Sequence, residues 1–351
     1  MRQSELLCAG ACAAEEIVQL LRVDVVKALD PLRPRDFVVI LDRISRRVNA
    51  AVVGEEAKAM AAALDALDVR WASMSETQVA KIVRGANDIL RNKLVASVPP
   101  VLNGVLEIEG PPLVARTRAS AVQRYGLSIG SNLSARDRKA EKNVRKLTVN
   151  YVRDEMGVRS EQVSETARTI VESGLKRGHD SITIGRRLKR VLGDQVSKGQ
   201  GYWRMVANSF GGHARSFTQV GALAEARFDE WMFDAVLDQA TSDICRYFHG
   251  RTFPMAAAAR HVQRVTDLDD PEDVSEVSPW VRQGTDDDGN SYLFVRRGDR
   301  QHRIAGIRRS GIGGLDDLGE FDEIEGTPGL MRLGTMMPPL HGNCRSNIVP
   351  V

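Results

Sequence analysis

The apolar residues in the first two thirds of this 351-residue chain recur every three to four positions, and that rhythm stops near residue 229. A spacing of i, i+3, i+4 commits a segment to amphipathic helices, which must bury one face against one another. Ile17, Leu20, Leu21 and Val25 keep the rhythm until Pro31 and Pro34 break it. Asp36 can cap a second helix, with Val39, Ile40 and Ile44 on its apolar face and an end near Gly54. An Ala-rich helix over 55–68 follows. Ser75 and Gln78 stand at capping-box spacing ahead of a fourth, running to about Val95. Val98-Pro99-Pro100 and Gly110-Pro111-Pro112 then predict an extended connector. Residues 1–112 therefore read as a helical N-terminal region.

Residues 113–228 are helical again and locally basic. Ser134 with Asp137 starts one helix ending near Gly157, Ser160 caps a second closed by Gly178, a third spans about 183–192, and the longest runs from about Gln200 to Phe228, interrupted at Gly211-Gly212. Between Arg116 and Arg159 there are eleven Lys or Arg against Asp137, Glu141, Asp154 and Glu155. Arg138, Lys139, Lys142, Arg145 and Lys146 are the cations placed to contact phosphate, of packaged DNA or of RNA. The competing account is a solvated helix face with i, i+4 pairs.

Residues 229–351 change character, and the whole chain reads as α+β: a mostly helical first two thirds, then a small C-terminal domain with short antiparallel strands. Trp231 to Leu237 is strand-like, and Asp288-Gly289-Asn290 before Tyr292-Leu293-Phe294-Val295 predicts a hairpin. Nine acids between Asp267 and Asp288 face Arg282 alone, and six arginines over 296–309 face Asp299 alone. Blocks of opposite sign so close in sequence are expected to pair with each other or to lie on separate solvated faces. Asp286, Asp288 and Gly289 mimic part of a calcium loop, but the register leaves Gly284 and Val295 where oxygen donors are needed, so this is a turn. Segment 256–333 reads as a loop-rich insertion unlike a core.

Composition narrows the function classes. A net charge of +3 gives no global case for nucleic acid, and four cysteines cannot build a secreted disulfide framework. No apolar run is long enough to span a bilayer, so no membrane partner is expected. Met1 to Cys12 tempts a lipoprotein or signal reading, yet Glu5 and Glu15-Glu16 make it the first turns of a helix. A cytoplasmic site of synthesis follows. Residues 1–115 hold no histidine and no phosphate-loop fingerprint, so no enzyme is expected there.

The most specific constellation lies in two pieces. The first is Leu237-Asp238-Gln239-Ala240-Thr241-Ser242-Asp243-Ile244-Cys245-Arg246-Tyr247-Phe248-His249-Gly250-Arg251-Thr252-Phe253. The second is Met337-Pro338-Pro339-Leu340-His341-Gly342-Asn343-Cys344-Arg345-Ser346-Asn347-Ile348-Val349-Pro350. Cys245 with His249, and His341 with Cys344, offer four N and S donors of the kind a structural tetrahedral zinc requires. The alternative is two buried, inert cysteines and two surface histidines.

Asp238, Thr241, Ser242, Cys245, Arg246, Gly250 and Phe253, followed by Pro339, His341, Cys344 and Arg345, resemble the C-terminal signature of the phage Mu F-like minor head proteins, also called phage head morphogenesis proteins. The likeness covers about residues 160–351. It implies a minor component of a tailed-phage head that touches the portal, the major capsid or the scaffolding protein. It further implies assembly in the host cytoplasm, residence inside the virion, and a part in morphogenesis or in DNA packaging or ejection. No catalytic residues come with it. Some relatives carry Cys-x-x-Cys where this chain has Ser242-Asp243-Ile244-Cys245, so one thiolate is missing here. Relatives often have Asp at the place of His249, which is either a replacement ligand or a turn residue. A reading of another class is a nucleic-acid-binding regulator that uses the basic segment 116–159.

Overall fold

The computed structural model describes residues 29–71, 74–197 and 199–351. The expectations for Met1 to Cys12 and for the first helix around Ile17–Val25 lie outside the described residues. Among the described residues five long helices come first: α1 (Pro34–Ala66), α2 (Glu76–Tyr125), α3 (Ala135–Lys176), α4 (Ser181–Ser197) and α5 (Gly199–Glu225). The C-terminal part interleaves β1 (Glu230–Asp234), α6 (Asp243–Phe248), β2 (Thr252–Pro254), α7 (Met255–Thr266), α8 (Pro271–Val277), β3 (Arg282–Thr285), β4 (Ser291–Arg297), β5 (Arg300–Arg309), β6 (Glu320–Glu323), α9 (Thr327–Leu333) and β7 (Asn347–Pro350). The fold is α+β, with the helices gathered in the N-terminal two thirds.

The helices are longer than glycine and proline punctuation suggests. The extended connector expected at 98–112 is helix: Pro99, Pro100, Pro111 and Pro112 all lie inside α2, so the boundary drawn at 112 falls within one element. Each proline costs about 3 kcal/mol in a free helix interior. Here the stripe Leu90, Leu94, Val98, Leu102, Leu106 and Leu113 is buried along the whole length, and burial overrides the local preference. Gly54 and Gly157 likewise fail to break α1 and α3. Ser160 is not a cap but a mid-helix residue, its hydroxyl donating back to the Gly157 carbonyl at 2.7 Å. The two capping boxes, Ser75 with Gln78 and Ser134 with Asp137, are present as the spacing requires, and Gly178 takes the left-handed conformation with φ of 69°.

Buried ion pairs fix how the helices meet. Glu109 of α2 accepts from Arg43 and Arg47 of α1. Arg118, 2% exposed, donates to Asp137 of α3 at 3.1 Å and to Glu225 of α5 at 2.7 Å. Such pairs add little net stability over an apolar core, but losing one partner strands a buried charge at a cost of about 3–5 kcal/mol. They therefore select this packing over alternatives.

Two antiparallel sheets follow. In the first, of order β2-β1-β7, Trp231 pairs with Phe253 and Pro350, and Phe233 with Ile348. Trp231 and Phe233 alternate inward and are fully buried, with Trp231 stacked on Phe253. The second sheet is a meander, β3-β4-β5-β6. Its first hairpin turns through Asp286–Asn290, where Gly289 has φ of 83° and the Asp286 carboxylate accepts from Asn290 N–H at 2.9 Å. This meander corrects the expectation of a coreless insertion at 256–333: Leu293, Val295, Ile304 and Ala305 are buried, and α7 adds Met255, Ala258, Val262 and Val265.

Candidate metal centre

Both motif pieces converge, although Cys245 and Cys344 are 99 residues apart. The first is built on a turn. Asp238 accepts from the Thr241 hydroxyl at 2.9 Å and from Ala240 N–H at 3.0 Å, which sets Ser242 as the N-cap of α6. The Ser242 hydroxyl then accepts from Cys245 N–H at 3.4 Å. Arg345 closes the link from the second piece by donating twice to Asp238, at 2.8 and 2.6 Å. That bidentate bond holds the Asp238 carboxyl down, to about 2. On the other side Gly212 of α5 lies flat against Pro339, where a Cβ would sit 3.1 Å from the ring.

The donor atoms meet between these clamps. Cys245 Sγ lies 3.1 Å from His341 Nε2 and 3.7 Å from Cys344 Sγ. Ser242 Oγ lies 3.1 Å from the same His341 nitrogen. Cys245, His341 and Cys344 offer three ligand atoms all within 4.8 Å of one another, and this group could hold a metal ion. Both cysteines are free thiols, 4% and 3% exposed. Their hydrogen bond divides one proton unequally: it pushes Cys245 up, helped by burial, and pulls Cys344 down, helped by the neighbouring His341. Of the two, Cys344 is the one whose ionised form is favoured, and the Ser346 hydroxyl lies against both sulfurs.

Sequence reasoning missed two contributors. Ser346, 1% exposed, stands inside the second piece, next to Arg345, but is not among the expected donors. Arg215 of α5 is fully buried and, among the described residues, has no carboxylate partner. Its guanidinium lies 3.6 Å over the Phe37 ring and donates to the carbonyls of Pro31, Arg345 and Ser346. Burial lowers its pKa to about 10, and the charge of Cys344 works against that fall. An arginine in the middle of α5, where the helix is otherwise uncharged from Met205 to Ala224, was the available signal.

Other expected site residues fall elsewhere. His249 is not part of the donor group. The helix α6 ends at Phe248, and His249 turns extended, its Nδ1 accepting from Ala235 N–H at 3.0 Å. Gly250, with φ of 78°, and Phe253 shape the return into β2 rather than the site. Of the five cations on α3, Lys139 pairs with Asp267 at 2.8 Å and Lys146 with Asp269 at 2.7 Å. Arg145 is held by Glu141, Glu107 and Asn103, and Arg138 donates to the Leu133 carbonyl. Lys142 is exposed. The acidic block thus pairs in part with α3, while Arg303 reaches Asp286.

No helix among the described residues is long and apolar enough to cross a membrane. An α+β chain whose terminal segment locks a buried thiol–imidazole group is the class this architecture defines. No family model, curated protein or solved structure matches the chain.

Proposed function

We propose that the chain is a minor head protein of a tailed phage or prophage, similar to the Mu F-like head morphogenesis proteins. Its role is structural rather than catalytic, in head assembly or in DNA packaging or ejection. In this reading it contacts the portal, the major capsid or the scaffolding protein, forms in the host cytoplasm and ends inside the capsid. The single observation that supports it is the convergence of the two signature pieces: Asp238, Thr241, Cys245 and Arg246 from one, His341, Cys344 and Arg345 from the other, each bonded to its counterpart or to the turn it forms. Mass spectrometry of purified particles from a producing strain should find this chain at low copy number. Particles complete in portal and capsid protein but free of it would overturn the proposal.

The same reading gives the donor group a structural zinc. Two thiolates on a tetrahedral ion, with Zn–S near 2.3 Å, stand ~3.8 Å apart. The sulfurs here are 3.7 Å apart already. His341 supplies the third ligand, and the Ser242 hydroxyl stands where the missing thiolate of relatives would be. A neutral hydroxyl binds zinc more weakly than a thiolate, so loading is expected to be chelator-sensitive. Elemental analysis of protein purified without chelator should give close to one zinc per chain, lost in Cys344→Ala. Less than about a tenth of an equivalent, with Cys245→Ser as stable as the parent, would leave two ordinary core cysteines.

A further inference from the structure

We propose that the corner between α3 and α4 is a binding site for the phosphate backbone of duplex DNA. Between residues 176 and 190 the chain carries six Lys or Arg, namely Lys176, Arg177, Arg186, Arg187, Lys189 and Arg190, against Asp180 alone. The stretch lies beyond the basic run that draws the eye in the sequence, and it differs in what its cations do. On α3 the Lys139 and Lys146 ammonium groups already pair with Asp267 and Asp269. At the corner, among the described residues, Lys189 has only a loose pair with Asp68 at 3.9 Å. Lys176, Arg177, Arg186, Arg187 and Arg190 have no ion pair there. Asp180 feels the charge of Arg186, but its carboxylate is engaged in capping α4 through Thr183 N–H at 2.7 Å.

The corner is rigid. His179 N–H reaches the Gly174 carbonyl at 2.9 Å and Gly178 N–H the Leu175 carbonyl at 3.0 Å, a complete Schellman closure of α3. Ile184 packs directly onto Gly174, where a Cβ would meet it at 2.7 Å. Helix α4 then buries Ile184, Leu188 and Leu192. Arg186, Lys189 and Arg190 occupy the opposite, exposed face at i, i+3 and i+4. Like charges at that spacing repel. Lys176 and Arg177 also complement the C-terminal dipole of α3. The three on α4 lie inside their helix, where no such explanation serves, and a polyanion is what relieves them.

Two features select duplex DNA among polyanions. No Phe, Tyr or Trp lies between residues 174 and 192, so a stacking platform of several rings for unstacked bases is lacking. Among the described side chains of α4, Ile182 is the one large apolar residue that is exposed, too little to insert into a lipid surface. The assignment stands on charge and does not depend on the chain belonging to a phage head.

Binding of the full-length protein to a 30-base-pair duplex across a salt series tests it. Replacing Arg186→Gln, Lys189→Gln and Arg190→Gln together should flatten the plot of log affinity against log salt by about 2.7, since each phosphate contact contributes about 0.9. Should that variant unfold, the single substitutions, each at an exposed position, should each flatten it by about 0.9. The pair Lys139→Gln with Lys146→Gln should leave the slope unchanged. An unchanged slope in the corner variants, an equal loss in the α3 variant, or tighter binding to phosphatidylserine vesicles or single-stranded RNA than to the duplex would overturn the proposal.

Discussion

A chain ending at Met337 is expected to lose its cooperative thermal transition, with the C-terminal sheet unfolded and the helices next to it loosened. The missing segment carries β7, which pairs with β1 from Trp231 to Asp234. It also carries Leu340 and Ile348, 2% and 0% exposed, whose burial contributes roughly 3–6 kcal/mol together. The damage does not stop at the sheet. Asn347 donates to the Leu32 carbonyl, and the Ile348 carbonyl accepts from both Tyr125 and Gln219. Arg215 would lose the Arg345 and Ser346 carbonyls and stand buried with little but Pro31 and the Phe37 ring. A buried cation stripped of acceptors destabilises α5, and α5 packs on α1, α2 and α3. Calorimetry of the truncated chain decides the matter. A transition as sharp and as high as that of the parent would show that the terminal segment is not part of the core.

How much of this was legible depends on the range of the interactions. Capping boxes at Ser75 and Ser134 and the Asp288-Gly289-Asn290 turn involve neighbours in sequence, and the structure has them where the spacing puts them. Breaks expected at Gly54, Gly157 and the prolines of α2 failed because each costs one to about 3 kcal/mol locally, while a continuous buried stripe, invisible until partners are known, holds the helix. The donor residues Cys245, His341 and Cys344 could be read from their chemistry. His249 could not be placed, because its i+4 spacing from Cys245 implies a shared helix face only if the helix lasts, and α6 ends one residue short. The partners of Lys139 and Lys146 lie more than a hundred residues away, at Asp267 and Asp269. Charge counting along the chain therefore does not show which cations already have an acidic neighbour in the fold.

Acidification should destabilise the protein well before its carboxylates titrate. His261 of α7 is buried and His213 of α5 half-buried where these helices pack, and removal from water lowers both to about 4. Arg264 and His213 lower His261 further, and its Nδ1 has no partner to welcome a proton. The carbonyl of Ser209, 2.9 Å from His213 Nδ1, opposes the fall without cancelling it. In the unfolded chain both imidazoles take protons near the ordinary value of about 6.5, so the unfolded state binds more protons between that pH and about 4. Stability is therefore complete above about 6.5 and falls as pH drops through the window to about 4. At pH 5 the loss is about 2 kcal/mol per histidine, roughly 4 for the two. Asp238, held to about 2, contributes nothing until the pH is lower still. Glu141, raised by burial against the pull of Arg145, works in the opposite direction. Unfolding free energies from urea melts at pH 7.5 and pH 5 should differ by that amount in the parent and by about half in His261→Gln. A parent value that is the same at both pH values would mean that both rings already carry a proton in the folded protein.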